Sequence, residues 1–256
     1  MYPYINIFGI TIGSYGVCML LGIVLVCFLA WRSGKTRSFS FDDLMIVSGT
    51  AVGCALVGGV VLYALVTYSI EQIIDMICAG QFDFLKGIVF YGGLIGGVLG
   101  AFLGKKIAHC KFSAIEECIV PFIPLGHAIG RVGCLLAGCC YGCEYEGPLA
   151  VYYPNSMMGL PPDQGYFPTP LLEAVLNIGV CILLVLIRRK KKNNGDLLMS
   201  YLGIYSIVRM ITEMFRGDEV RGKFLGVSTS QWVSIALINL AVAFFVFRKI
   251  RNKKVK

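Results

Sequence analysis

An all-α, polytopic membrane protein with about seven transmembrane helices is the fold class this sequence predicts. Three observations carry the prediction: composition, the length of the apolar runs, and the placement of the basic residues. Of 256 residues, 57% are hydrophobic and 15% charged, against roughly 45–50% apolar content in an ordinary soluble domain. Mean hydropathy is +0.74. Runs of about 20 apolar residues, the length needed to cross the hydrocarbon core, fall at about 10–31, 44–66, 88–104, 114–132, 169–187, 197–215 and 229–247.

The charges test this count. Residues 1–9 carry no basic side chain and the basic cluster follows the first run, which is not the order of a cleaved leader. The first helix is therefore expected to be retained, with the N-terminus outside and the C-terminus cytoplasmic. Seven crossings then place 32–43, 105–113, 188–196 and 248–256 inside. These segments hold Arg32, Lys35, Arg37, Lys105, Lys106, Lys111, Arg188, Arg189, Lys190, Lys191, Lys192, Arg248, Lys249, Arg251, Lys253, Lys254 and Lys256. Only Lys86, Arg131, Arg209, Arg216, Arg221 and Lys223 lie elsewhere among the 23 basic residues. That asymmetry is the positive-inside pattern, so the net charge of +8 is read as topology. A nucleic-acid partner is excluded, because no basic face and no fold to present one is visible. The basic tail is expected to rest on anionic membrane lipids. Residues 1–256 read as one integral membrane domain, with an outer-side loop or arm at about 137–168 broken by Pro148, Pro154, Pro161, Pro162 and Pro168.

Three of the charges in or at the edge of the apolar runs, Arg131, Arg209 and Glu213, are the most informative. A charge at mid-bilayer costs about 2.5–3.5 kcal/mol on insertion scales, so an intramembrane ionisable group marks a site by default. Arg131 ends the fourth run, where its planar fork suits a bidentate clamp on phosphate; snorkelling to the headgroups is the bland alternative. Tyr205, Arg209 and Glu213 recur at spacing four and so share a helix face. Arg209 lies about 9 Å below the end of its run at Phe215. A structural salt bridge is the alternative there, but desolvation makes buried pairs weak stabilisers, and the preferred reading has Glu213 orienting Arg209. The glycines of Tyr91-Gly92-Gly93-Leu94-Ile95-Gly96-Gly97-Val98-Leu99-Gly100 suit close helix packing, with Tyr91 placed where polar chemistry is accessible. His127 reads as a hydrogen-bonded core histidine and His109 as solvated. Of eleven cysteines, those in apolar runs behave as small hydrophobes. Cys134, Cys139, Cys140 and Cys143 cluster; without paired CxxC motifs no metal is expected, and a disulfide outside the cytoplasm is preferred.

These residues, taken in order, resemble the bacterial prolipoprotein diacylglyceryl transferases over nearly the whole chain. Ser14-Tyr15-Gly16 resembles the family's tyrosine-glycine, Tyr91 to Gly96 its histidine-glycine-glycine segment, and Gly130-Arg131-Val132-Gly133 with Gly142 its glycine-arginine signature and closing glycine. Phe167 to Glu173 resembles the entry to the fifth helix. Arg209 to Glu213, then Phe215-Arg216-Gly217-Asp218, resemble the arginine–glutamate motif. Three positions depart: the family's histidine is Tyr91, its signature asparagine Cys134 and its signature glutamate Cys139.

The resemblance implies transfer of a diacylglyceryl group from phosphatidylglycerol to the lipobox cysteine thiol of a prolipoprotein, in the bacterial cytoplasmic membrane and open to the outer leaflet. It implies Arg131, Arg209, Tyr91 and Glu213 as catalytic, and Arg131, Arg209, Tyr15, Gly92, Gly142 and Arg216 as substrate-binding, with no cofactor. Rival readings are a membrane thiol oxidoreductase using the cysteine cluster and a non-catalytic phospholipid-binding protein.

Overall fold

The computed structural model describes residues 2–7, 9–34, 40–80, 87, 89–190, 194–217, 223–224 and 227–254, with backbone alone at 7, 10, 90, 91, 223, 224 and 254. Lys35, Arg37, Lys86, Lys191, Lys192, Asp218, Arg221 and Lys256, all used above, lie outside the described residues, as do the side chains of Tyr91, Lys223 and Lys254.

The protein is mostly helical. Two strands, β1 (Tyr4–Ile7) and β2 (Ile10–Gly13), precede α1 (Ser14–Gly34), α2 (Phe41–Thr67), α3 (Ile70–Cys78), α4 (Phe90–Ile107) and α5 (Phe112–Cys118). A 3-10 turn (Val120–Phe122) leads into α6 (Ile123–Ala137). The strands β3 (Val151–Tyr152) and β4 (Gly165–Tyr166) follow, then α7 (Thr169–Lys190), α8 (Asp196–Glu213), β5 (Lys223–Phe224), β6 (Val227–Ser228) and α9 (Thr229–Lys254). Each strand pair is a separate antiparallel ribbon. Among the described residues, five stretches are long and apolar enough to cross a membrane: Ser14–Gly34, Phe41–Thr67, Phe112–Ala137, Thr169–Lys190 and Thr229–Lys253. The helices α4 and α8 have 18 residues each, and α8 dilutes its apolar content with Asp196, Arg209 and Glu213.

Three expectations are corrected. The first run does not begin its helix at residue 10: Ile10–Gly13 pairs with Tyr4–Ile7 across a turn at Gly9, whose φ is 82°. The helix starts at Ser14, whose N–H donates to the Pro3 carbonyl at 2.9 Å. The fourth run is not one continuous helix. Pro121 and Pro124 remove donors and break it into α5, the 3-10 turn and α6, and α6 runs on to Ala137. The third correction is α3, unforeseen although Ser69 and Gln72 form a reciprocal capping box at its start.

The chain divides into two compact units, residues 30–115 and residues 1–29 with 116–256. In the first, α2 and α4 pack along their glycines. A Cβ built on Gly92 would lie 2.2 Å from the Gly58 carbonyl oxygen, one on Gly96 2.1 Å from that of Cys54, and one on Gly100 2.3 Å from that of Thr50. Nothing larger than hydrogen fits at this four-residue spacing, the small-residue contact that lipid-embedded helices use.

In the second unit, Glu116 is wholly buried and caps α8. Its carboxylate accepts from the N–H groups of Gly195 (2.8 Å), Leu197 (2.9 Å) and Leu198 (3.2 Å), satisfying orphan donors at the positive end of the helix dipole. Arg188 Nη1 donates to the Glu117 carbonyl at 3.1 Å, and Arg248 pairs with Asp196. The basic segments 188–190 and 248–251 thus gather at the end of this unit where α7 finishes and α8 starts. Arg209 lies 13 residues further along α8, about 20 Å away.

Candidate active site

At that far end, α6 and α8 finish and α7 begins. Glu173 stands one turn inside α7, wholly buried. Arg131 Nη2 lies 2.9 Å from its Oε1 and Arg209 Nη1 3.5 Å from its Oε2. A single carboxylate therefore bridges the two arginines, which lie 78 positions apart in sequence. Arg209 Nη2 also donates to Glu213 Oε2 at 2.5 Å and to Ser230 Oγ, in the first turn of α9, at 3.2 Å.

Helical spacing supplies the rest. His127 and Arg131 are four apart on α6, so His127 shares the inward face and places Nε2 3.6 Å from Glu173 Oε1. Its ring packs 5.1 Å from that of Tyr205, which sits four residues before Arg209 on α8. Asn177, four residues after Glu173 and wholly buried, donates Nδ2 to the Glu173 carbonyl at 2.8 Å.

Two guanidiniums and two carboxylates thus sit together in a largely dehydrated position. Such clusters are poor stabilisers compared with apolar packing, which marks this one as a candidate site. Arg131 Nε is buried without a hydrogen-bond partner among the described residues, a donor available to an anion. The arrangement presents two oriented forks side by side, each aligned by its own carboxylate contact.

The residues expected from sequence fall out as follows. Arg131, Arg209 and Glu213 come together, and His127 belongs with them beyond its expected core role. Tyr15, in the first turn of α1, lies against α6: a Cβ on Gly133 would be 3.2 Å from the Tyr15 Cα. Arg216 is within electrostatic reach of Arg209. Gly142 is wedged into a backbone junction, where an added Cβ would meet the Phe167 carbonyl oxygen at 2.5 Å and that of Phe215 at 2.7 Å. There the Gly142 N–H donates to the Phe167 carbonyl at 3.1 Å, the Cys143 N–H to that of Phe215 at 2.9 Å, and the Phe167 N–H to that of Cys143 at 2.9 Å. Thr169 Oγ1 donates to the Phe215 carbonyl at 3.0 Å. The junction ties the start of α7 to the end of α8, and so sets Glu173 against Arg209. Gly92 belongs to the α2–α4 contact of the other unit, and Tyr91 lies in the first turn of α4 with its side chain outside the described residues.

Sequence reasoning named Glu173 only as the last residue of a motif, and missed Ser230. The signal for Glu173 was present: it is the sole acid in the run 169–187, and the intramembrane-charge argument used for the arginines applies to it equally. The expected disulfide is not found, since all eleven cysteines are free thiols. The arm at 137–168 carries the β3–β4 ribbon. Its Tyr153 is wholly buried; burial, with the thiols of Cys139, Cys140 and Cys134 beside it, pushes the phenol up to about 12.

Comparison with known proteins follows the same residues. Residues 3–247 match the family described as prolipoprotein diacylglyceryl transferase. A phosphatidylglycerol–prolipoprotein diacylglyceryl transferase of Clostridium tetani is 32% identical over 249 residues, covering 97% of each chain. Transferase 2 of that name from Clostridium perfringens is 31% identical over 250 residues, covering 97% of this chain and 96% of the relative. The transferase of Dehalococcoides mccartyi is 29% identical over 254 residues, covering 97% and 94%.

Proposed function

The chain belongs to the prolipoprotein diacylglyceryl transferase family, and we propose on that footing that it moves the diacylglyceryl group of phosphatidylglycerol onto the lipobox cysteine of a prolipoprotein. The observation that carries the reading at residue level is the convergence of Arg131 and Arg209 on Glu173. In the reaction, the cysteine sulfur attacks the glyceryl carbon that bears the phosphate oxygen. A C–S bond forms, the C–O bond breaks, and its electron pair leaves on glycerol phosphate. The thiol proton is released with that product, so atoms and charge balance.

The charge that must be stabilised grows on the departing phosphate. Arg131 and Arg209 meet it with preorganised donors in a low-dielectric setting, where such donors are worth most. Glu213 and Glu173 are positioning residues that fix the two forks before substrate arrives. Because these carboxylates already balance the two guanidiniums, the lipid's own negative charge calls for a further cation, and Arg216 is the nearby candidate. Tyr15, beside α6, is placed to line the substrate. Gly142 acts through the junction that sets α7 against α8. Tyr91 and Gly92 are carried as the family's motif implies, with Tyr91 bearing a hydroxyl in place of the family's imidazole. A phenol of pKa about 10 is almost wholly protonated near neutrality and so is a poor acceptor for the thiol proton, which favours proton departure with the phosphate.

The same reading places the chain as one integral domain in the bacterial cytoplasmic membrane, with seven crossings and the N-terminus outside. The distribution of basic residues supports this, as does the separation of the basic end of the second unit from the arginine pair. The site would then open toward the outer leaflet. Purified protein in vesicles with phosphatidylglycerol and a lipobox peptide should yield thioether-modified cysteine and glycerol phosphate. Arg131→Ala and Arg209→Ala should each lose transfer while remaining folded by size-exclusion chromatography. Wild-type rates in both would remove the clamp. Neither rival is favoured by the relatives: a thiol oxidoreductase would need the cysteine cluster for turnover, and a lipid-binding protein would release no glycerol phosphate.

A further inference from the structure

The end of α6 gathers three thiols. The Sγ atoms of Cys134, Cys139 and Cys140 lie within 4.8 Å of one another. The backbone explains how. Gly138 takes the left-handed conformation (φ 67°, ψ 35°); its N–H donates to the Leu135 carbonyl at 3.3 Å and the Cys139 N–H to the Cys134 carbonyl at 3.1 Å. That is a Schellman ending, which brings the side chains of the first and sixth residues, here 134 and 139, into contact.

Cys140 then adopts φ 57°, a left-handed conformation that costs a non-glycine residue about 1–2 kcal/mol. The turn is secured from the arm, with Ser156 Oγ donating to the Gly138 carbonyl at 2.7 Å and the Met157 N–H to that of Ala137 at 3.2 Å. An apolar contact would satisfy a helix ending with two small side chains. A third cysteine, held there in left-handed backbone, brings a third sulfur to the same point.

We propose that Cys134, Cys139 and Cys140 form a three-thiolate site for a thiophilic divalent cation of the Zn2+ or Cd2+ class. With metal–sulfur bonds of about 2.3 Å, three ligands on one such ion stand about 3.8–4.0 Å apart. The thiols therefore reach that spacing by small side-chain rotations. Each thiol releases its proton to solvent on binding, so the divalent ion with three thiolates carries one net negative charge. Arg131 lies within electrostatic reach of Cys134 and Cys140, although its charge is already shared with Glu173. The Tyr153 hydroxyl is buried without a hydrogen-bond partner among the described residues, and it is available to donate to a metal-bound thiolate. Sulfur ligands exclude Mg2+ and Ca2+, which demand oxygen. The inference rests on the thiols and their backbone, not on the transferase reading.

The test uses the purified, reduced and chelator-treated full chain in detergent, titrated with Cd2+. The expected result is one ion per chain, with ultraviolet thiolate-to-metal charge-transfer absorption. Cys134→Ser, Cys139→Ser and Cys140→Ser should each weaken binding at least tenfold, whereas Cys143→Ser and Cys181→Ser leave it unchanged. A second measurement needs no variant. Zn2+ should protect Cys139 and Cys140 of the unaltered protein from maleimide alkylation, mapped by mass spectrometry, while exposed Cys143 stays reactive. Absence of the absorption, alkylation of Cys139 and Cys140 indifferent to Zn2+, or Cd2+ binding retained in the triple serine variant would each overturn the site.

Discussion

Replacing Glu173 by glutamine preserves its volume and removes one charge, which makes Glu173→Gln the sharpest probe of the arginine pair. In the folded protein this carboxylate is wholly buried and faces Arg131 at 2.9 Å and Arg209 at 3.5 Å. Removing one partner of a buried ion pair costs about 3–5 kcal/mol, because the surviving charge stays desolvated. Arg209 keeps Glu213 and Ser230, so the loss falls mainly on Arg131. For a chain of this size such a loss lowers Tm by on the order of 10 °C, measurable by thermal unfolding in detergent. If Arg131 also loses its aim at the phosphate, transfer per folded molecule should fall by roughly 10²–10³, the usual effect of losing one oriented donor. The two readouts separate stability from chemistry, and a double-mutant cycle with Arg131→Gln should show a coupling of about 0.5–3 kcal/mol. Wild-type Tm and rate in Glu173→Gln would refute the bridging role outright.

Two further variants probe the scaffold. Gly96→Val should disrupt the α2–α4 contact, since even a Cβ would lie 2.1 Å from the Cys54 carbonyl oxygen; a loss of several kcal/mol is expected, seen as reduced yield of folded protein on size exclusion. Glu116→Gln removes a carboxylate that accepts from three backbone N–H groups of the α8 start. It should lower stability by about 1–3 kcal/mol while leaving transfer per folded molecule near wild type, because Glu116 lies about 20 Å of helix from Arg209. A large drop in specific transfer for Glu116→Gln would show that the two ends are coupled.

Much of the fold was legible because a bilayer demands it. Helices must satisfy their own backbone in lipid, so apolar run length alone located α1, α2, α4, α7 and α8 to within about four residues, while α6 and α9 run five and seven residues past the ends of their runs. The errors share a local cause. Ile10 and Ile12 are as apolar as helix residues yet pair as a strand, and Pro121 and Pro124 break a run that hydropathy reads as continuous. The amphipathic α3 escaped because it is too short for a span criterion, although its Ser69–Gln72 box announces a start.

Arg131, Arg209 and Glu213 were readable as costly charges because charge in an apolar run is expensive wherever the run ends up. The Arg209–Glu213 contact was readable from its spacing of four, whereas the link between the two arginines was not. Glu173 reaches Arg131 and Arg209 from a third helix, and the thiols of Cys139 and Cys140 turn back on Cys134 only through the left-handed ending of α6. Composition, periodicity and charge bias determined by themselves that this is a helical membrane protein carrying arginines in costly places, since those preferences act residue by residue. Tertiary structure alone decided that one buried carboxylate joins the two arginines and that Gly142 knits the ends holding them. The physical reason is that helix faces far apart in sequence meet according to packing around small residues and backbone junctions, which no local pattern encodes.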